Sequence, residues 1–196
     1  MKPVEFFFDL SSPYSYLAAT QMEGLVKRTS AQVTWKPFVL GAVFKAAGNV
    51  MPAACPPKAQ YMLRDLDRWA RRYEVDFKMT TRFPVNAMQA MRLVVASEAE
   101  GKSSAVALAA FRALWVADRD ITAEPELRAI AKEAGIDADR ALQAIATPEV
   151  KDRLRAYTDD AIRRGAFGAP AIFVGDELFW GNDRIEFVEA TLTAGR

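Results

Sequence analysis

The stretch Phe6-Phe7-Phe8-Asp9-Leu10-Ser11-Ser12-Pro13-Tyr14-Ser15-Tyr16-Leu17 decides the fold of this chain. It predicts a buried strand that enters a tight turn and then a helix, because an aromatic run precedes a Ser-Pro pair. Ser12 is placed to cap that helix, and Pro13 takes the first helical position, where a missing N–H costs nothing. The free N–H groups and the dipole of the helix then favour an anion at this end.

The turn has the spacing of a C-x-x-C redox motif but contains no thiol. In thioredoxin-like proteins a strand, a turn and a helix hold a cysteine at the positive helix end, which lowers its pKa. Here Ser12-Pro13-Tyr14-Ser15 occupies that position. We infer a site for a thiolate that another molecule supplies, and glutathione is the obvious source.

Composition narrows the class of protein. Of the 196 residues 51% are hydrophobic and 26% charged, and the net charge of +1 gives no electrostatic case for nucleic acid or an anionic membrane. No apolar run approaches the about 18 residues of a membrane span. Residues 1–5 enter a strand without the features of a signal peptide. We therefore expect a cytoplasmic globular protein.

The residue types that are missing limit the chemistry. The chain has no histidine and one cysteine, Cys55. This excludes a catalytic triad, an internal disulfide and almost every zinc site, so no metal is expected. Acid–base chemistry would fall to Asp, Glu, Lys, Tyr, a ligand or water. Cys55 is interpreted as an incidental thiol, since nothing local lowers its pKa except possible proximity to Lys58.

The strand pattern predicts an α/β, thioredoxin-like fold. Residues 4–8 form a continuous apolar strand, and the alternating residues 32–36 form a second strand, parallel to the first through a right-handed crossover. Residues 171–174 and 177–180 predict a hairpin around a Gly-Asp turn. A last helix follows at 185–192.

A large all-helical insertion separates the second and third predicted strands. Apolar residues recur at helical spacing from Lys58 to Ala161, with glycines and prolines between the segments. The predicted domains are residues 1–40 plus 165–196, thioredoxin-like, and residues 41–164, the inserted helical domain.

Ser12 has two interpretations. As a plain helix cap it needs no function; as a site residue it donates a hydrogen bond to a bound thiolate. Its partner in the second interpretation is Ala169-Pro170, which precedes a strand where thioredoxin-like folds place a cis-proline facing the turn. We predict a cis bond there. Ser12 is not expected to act as a nucleophile, because it lacks a histidine base and only a lysine such as Lys58 could replace one.

Other candidates also have structural alternatives. Asn182 and Asp183 can cap the last helix, or Asp183 can hold the ammonium group of a peptide-like ligand. Lys58 and Asn49 would be ordinary surface residues if taken alone. The stretch 82–86 is either a turn between helices or, through Arg82 and Asn86, a site for a substrate carboxylate.

Taken together, these motifs resemble the family of 2-hydroxychromene-2-carboxylate isomerases and kappa-class glutathione transferases, which is related to the disulfide oxidant DsbA. The resemblance covers nearly the full length. It rests on Phe7-Phe8-Asp9, Ser12 to Leu17, Lys36-Pro37-Phe38 leading to Gly41, Gly48-Asn49, Lys58, Phe83-Pro84-Val85-Asn86, Gly168-Ala169-Pro170 and Gly181-Asn182-Asp183-Arg184.

The resemblance implies a thioredoxin-like domain with a helical insertion, glutathione between them, and a homodimer. The catalytic serine falls on Ser12. The glutathione-binding positions fall on Ser12, Asn49, Lys58, Ala169, Pro170, Asn182 and Asp183. For the carboxylate of a small aromatic substrate, Lys36, Arg82 and Asn86 remain open alternatives.

The implied reaction converts 2-hydroxychromene-2-carboxylate to trans-o-hydroxybenzylidenepyruvate, a step in bacterial naphthalene breakdown. The stretch 83–86 favours this isomerase branch over a kappa-like transferase that conjugates electrophiles, which is the nearer alternative. A non-catalytic thioredoxin-fold binding module is an alternative from another class. Thiol–disulfide exchange ranks last, because no second cysteine can resolve a mixed disulfide.

Overall fold

The computed structural model describes residues 3–194 and is built on a four-stranded mixed sheet with the strand order β2-β1-β3-β4. The strands are β1 (Val4–Phe8), β2 (Val33–Pro37), β3 (Ala171–Val174) and β4 (Glu177–Trp180). β1 runs parallel to β2 and antiparallel to β3, and β3 pairs antiparallel with β4. The predicted strands and their directions are confirmed, with β2 lying one residue later at both ends than the predicted 32–36.

Helices cover the sheet, and seven of those described lie between β2 and β3. The helices are α1 (Pro13–Thr29), α2 (Leu40–Ala47), α3 (Pro56–Tyr73), α4 (Met88–Ala96), α5 (Ser103–Trp115), α6 (Glu124–Glu133), α7 (Ala138–Ala144), α8 (Pro148–Arg163) and α9 (Ile185–Thr193). Short 3₁₀ turns occupy Pro52–Ala54, Glu98–Glu100 and Asn182–Arg184. Within residues 3–194 no helix combines the length and the apolar character that a bilayer crossing requires.

The sequence did not predict α7 as a separate helix. Its seven residues are too few to show a helical period, and its start is fixed by a side chain instead. Asp137 Oδ1 accepts hydrogen bonds from the backbone N–H groups of Asp139 and Arg140 at 3.0 and 3.1 Å. The cap therefore defines this helix better than its hydrophobic pattern does.

The phenylalanines of β1 anchor the core on both faces of the sheet. Phe7 meets the ring of Phe173 edge-on with centroids 5.5 Å apart, and Phe8 packs against Phe111 of α5 at 5.6 Å. One hydrophobic cluster runs from the sheet into the helices. The thioredoxin-like fold with a helical insertion is confirmed, whereas the division into 1–40 plus 165–196 and 41–164 stays a prediction.

Candidate active site

Ser12 caps α1 and is almost wholly buried. Its Oγ accepts a hydrogen bond from the backbone N–H of Ser15 at 3.2 Å, in the extended conformation typical of a cap (φ −95°, ψ 115°). The same oxygen lies 3.5 Å from the carbonyl oxygen of Ala169, its weak acceptor. The hydroxyl proton is thus held only loosely, and it can turn toward a bound anion while the oxygen keeps capping the helix.

The segment that faces Ser12 contains the expected cis-proline. The Ala169-Pro170 peptide bond is cis, as the sequence analysis predicted. Ala169 lines the cavity in front of Ser12, and Pro170 is buried behind it. Gly168 is needed here because a Cβ atom at this position would lie 2.5 Å from Nε1 of Trp180.

Asp9 fixes the shape of the turn that carries Ser12 through hydrogen bonds to its carboxylate. Its carboxylate accepts hydrogen bonds from the N–H and the hydroxyl of Ser11, both at 2.8 Å, and from the N–H of Leu40 at 2.9 Å. Burial raises the pKa of Asp9, although these hydrogen bonds oppose the increase. Asp9 therefore joins the turn that carries Ser12 to the first residue of α2.

A cavity of about 530 Å³ opens in front of the turn. Its walls come from the start of α1, the segment from α2 to α3, the loop before α4, the cis-proline segment and the 3₁₀ turn after β4. Apolar side chains form much of its surface, among them Phe44, Met51, Met62, Trp69 and Phe83. This lining suits a flat aromatic molecule beside a polar one.

The polar end of the cavity is formed by the 3₁₀ turn after β4. Asn182 is 2% exposed, and within the described residues its Nδ2 has no hydrogen-bond partner. Its carbonyl oxygen accepts from the hydroxyl of Tyr73 at 2.7 Å, which holds the backbone in place. Next to it, Asp183 Oδ2 pairs with Nη1 of Arg184 at 2.8 Å. A buried amide donor without a partner indicates an acceptor on a ligand.

The sequence analysis missed the pair Tyr14 and Asp65. The hydroxyl of Tyr14 donates to Oδ2 of Asp65 at 3.0 Å, and both residues line the cavity. Burial, with the Asp65 carboxylate second, raises the pKa of Tyr14, so the phenol keeps its proton at neutral pH. The two residues lie 51 positions apart, and no local pattern could have joined them. Arg184 and Trp180 also line the cavity without having been assigned a role.

Six of the seven predicted glutathione-binding residues line this one cavity, and their roles stay predictions. They are Ser12, Asn49, Lys58, Ala169, Asn182 and Asp183. Asn49 also holds the loop after α2, because its Nδ2 donates to the carbonyl oxygen of Phe167 at 3.0 Å. Lys58 is exposed near the start of α3, and Cys55 is exposed beside it.

The three residues predicted to bind the substrate carboxylate do not line this cavity, and their role stays a prediction. Lys36 pairs with Glu5 and lies 3.7 Å from Asp160, away from the site. Arg82 turns outward to Asp120 at 3.5 Å. The side-chain oxygen of Asn86 accepts from the N–H of Met88 at 3.2 Å, a local contact in the turn before α4.

The fold and the cavity define a DsbA-like thioredoxin protein with a helical insertion. The chain belongs to this family, because the family model described as a DSBA-like thioredoxin domain matches residues 3–193.

The more particular likeness is to 2-hydroxychromene-2-carboxylate isomerases. The isomerase of Sphingobium xenophagum is 34% identical over 97% of this chain and 98% of that protein. The solved structure of a 2-hydroxychromene-2-carboxylate isomerase superposes with a TM-score of 0.90 at 28% identity, over 97% of this chain and 94% of the other. Human glutathione S-transferase kappa 1 is 28% identical over 95% of this chain and 89% of its own length. The resemblance inferred from the sequence motifs is confirmed.

Proposed function

We propose that this protein is a glutathione-dependent isomerase that converts 2-hydroxychromene-2-carboxylate to trans-o-hydroxybenzylidenepyruvate. The observation that carries the proposal is the position of Ser12 Oγ, at the positive end of α1 and at the edge of a cavity with one polar and one aromatic side. The full-length likeness to isomerases of this name supports the reaction.

The polar side of the cavity fits glutathione. The unpartnered amide of Asn182 offers a donor, Lys58 offers a cation for a carboxylate, and Asp183 offers a carboxylate for the α-ammonium group. Ala169 would supply the backbone contact to the tripeptide, with Asn49 near it, since Nδ2 of Asn49 donates to the carbonyl oxygen of Phe167. Kappa transferases are named for their use of glutathione, which supports the same ligand here.

Glutathione held here would supply a nucleophilic thiolate: its reversible addition to the conjugated carbon would move the electron pair of the double bond onto the carbonyl oxygen, which permits rotation about a single bond until the thiolate leaves. The chain's part is electrostatic. Ser12 donates a hydrogen bond from its hydroxyl to the sulfur and keeps its proton, and the start of α1 adds its dipole; together they keep the sulfur anionic at neutral pH.

The apolar side of the cavity would hold the aromatic ring. Phe83, Pro84 and Val85 lie on this wall, and Trp69 and Met62 of α3 lie on it as well. The stretch that includes Phe83 to Val85 is also the one that favours the isomerase branch in the sequence. On the family resemblance alone, the proposal extends to a cytoplasmic homodimer that acts in the breakdown of naphthalene-type compounds.

The test compares the interconversion rate with and without glutathione in wild type, Ser12→Ala and Ser15→Ala. We expect glutathione dependence in wild type and a loss of about 10- to 1000-fold in turnover for Ser12→Ala, the scale of removing one donor to an anion. Ser15→Ala is the matched control, because Ser15 is buried three residues away and does not line the cavity, and it should keep its turnover. Glutathione-independent interconversion, or full turnover in Ser12→Ala, would contradict the mechanism.

A kappa-like transferase is the second candidate, favoured by the 28% identity to the human kappa enzyme. Incubation with glutathione and a chloronitrobenzene separates the two functions. Conjugation without isomerisation of the chromene acid would establish the transferase. Calorimetry that detects no glutathione binding would favour a binding module instead.

A further inference from the structure

A carboxylate outside the cavity holds the loop that carries the cavity's aromatic wall. Asp118 Oδ1 accepts hydrogen bonds from the hydroxyl of Thr80 at 2.7 Å and from the N–H of Thr81 at 3.0 Å. Its Oδ2 accepts from the hydroxyl of Thr81 at 2.9 Å. Thr80 is buried, and the Asp118 side chain is only 15% exposed, so water competes poorly for these bonds.

The backbone around Asp118 strengthens the same attachment. The N–H of Lys78 donates to the carbonyl oxygen of Trp115 at 2.7 Å, and Nε of Arg82 donates to the carbonyl oxygen of Asp118 at 3.2 Å. Asp118 itself has a φ of 54°, a left-handed conformation that Asp tolerates better than most residues. The five-residue loop 78–82 is thus bound at both ends and in its middle by residues 115–118.

Residues 115–118 also contact the turn that carries Ser12. Nε1 of the buried Trp115 donates to the carbonyl oxygen of Leu10 at 2.9 Å, two residues before Ser12. The segment 115–118 therefore sets the distance between the turn and loop 78–82. Phe83, Pro84 and Val85 follow that loop directly and line the cavity.

We propose that Asp118 is a positioning residue, which acts through Thr80 and Thr81 on Phe83 to Val85 and thereby sets the affinity for the aromatic substrate but not for glutathione. The inference rests on the proposed function. The separation of the two effects follows from the geometry, because the polar end of the cavity, with Asn182 and Asp183, comes from the turn after β4.

The three hydrogen bonds that Asp118 accepts from Thr80 and Thr81, called the clamp below, persist at neutral pH. The hydrogen bonds from Thr80 and Thr81 lower the pKa of Asp118 to about 2. Because the folded-state pKa is depressed, the contribution of this carboxylate is present above its unfolded pKa of about 3.9 and is lost only as the pH falls toward 2. The clamp is therefore a fixed device and not a switch.

The experiment uses Asp118→Ala, Asp118→Asn and the control Asp137→Ala. Asp137 likewise accepts two backbone N–H bonds, at the start of α7, but it does not line the cavity. For Asp118→Ala we expect the KM for the chromene acid to rise roughly 3- to 30-fold at saturating glutathione, with the glutathione Kd within about twofold of wild type. Asp118→Asn keeps one acceptor oxygen and should restore part of the KM.

Asp137→Ala should lose thermal stability without a change in KM. A KM that is unchanged in Asp118→Ala, or one that rises together with the glutathione Kd, overturns the proposal. Hydrogen exchange of residues 79–86 in the ligand-free protein gives a readout that needs no activity, and it should be faster in Asp118→Ala than in wild type or Asp137→Ala. If wild type does not isomerise the chromene acid, the proposed function fails, whereas unchanged exchange in Asp118→Ala would refute the clamp itself.

Discussion

Two clusters of charged side chains in this protein contain the same types of charge and differ in what those charges bind. Each has two cations and two carboxylates. The cluster beside the sheet consists of Glu5, Lys36, Asp160 and Arg164. The cluster in the cavity consists of Lys58, Asp65, Asp183 and Arg184.

In the sheet cluster every charge is paired within the cluster. Its four side chains are 14–24% exposed, and each carboxylate lies within ion-pair distance of both cations. The guanidinium of Arg164 also stacks on the ring of Phe173 at 3.8 Å. No charge is left for a ligand, so this cluster joins β1 to α8 and its role is structural.

In the cavity cluster the charges are only partly paired with one another. Only Asp183 and Arg184 pair with each other, Asp65 accepts from a tyrosine, and Lys58 has no ion pair within residues 3–194. The comparison teaches that the availability of a charge, and not its presence, marks a binding site. It also explains why Lys36 looked as suitable as Lys58 in the sequence.

The largest expected difference between the clusters is in glutathione affinity. Lys58→Met should weaken glutathione binding about 5- to 30-fold, because an exposed charge-assisted contact to a carboxylate is lost. Lys36→Met is the matched variant and should leave the affinity unchanged while it lowers the free energy of unfolding. Calorimetry with glutathione measures the first effect. Equal glutathione affinities in Lys58→Met and Lys36→Met would contradict the distinction between the two clusters.

The second expected effect is a pH-dependent loss of stability in the sheet cluster. Glu5→Gln should lower the free energy of unfolding by about 1–3 kcal/mol at pH 7, because two cations lose a shared carboxylate. Burial by itself raises the pKa of Glu5, but hydrogen bonds from Lys36 and Arg164 outweigh it and lower the pKa. Stabilisation by Glu5 is therefore present above its unfolded pKa of about 4.3 and is lost as the pH falls through the lower folded value.

Urea unfolding of wild type and Glu5→Gln at pH 7 and at pH 3.5 measures this dependence. The difference between the two proteins should shrink at the lower pH. A difference that stays constant would show that the charge of Glu5 does not stabilise the fold.

The smallest expected effect belongs to Arg82. Its guanidinium pairs with Asp120 at the surface and donates one exposed hydrogen bond to the carbonyl oxygen of Asp118. Arg82→Gln leaves the three hydrogen bonds to the Asp118 carboxylate in place, so it should change the KM for the chromene acid by less than about twofold. Steady-state kinetics at saturating glutathione checks this. A large increase in KM would mean that Arg82 turns into the cavity when the substrate binds.

Local patterns were sufficient for most of the fold. The strand 4–8, the hairpin at 171–180 and the cap at Ser12 all rest on residues within a few positions of one another. The cis bond at Ala169-Pro170 was predicted from where thioredoxin-like folds place a cis-proline, and it is confirmed. Helix α7 was missed because its signal is one capping side chain and not a period.

The residues of the candidate site also fall into those that a local pattern identifies and those that depend on distant partners. Ser12, Asn182 and Asp183 could be named because each sits at a helix start or turn that the sequence marks. The partners of Lys36, Arg82 and Tyr14 lie from 31 to 124 positions away along the chain, and no local pattern contains them.

The sequence by itself determined the chain's topology, the helix end that favours an anion, and the absence of a thiol there. Only the tertiary structure decided which cations stay available to a ligand and which loop forms the aromatic wall. The physical reason is that backbone conformation follows from neighbouring residues, whereas the pairing of a long charged side chain depends on which distant carboxylate the fold brings within reach.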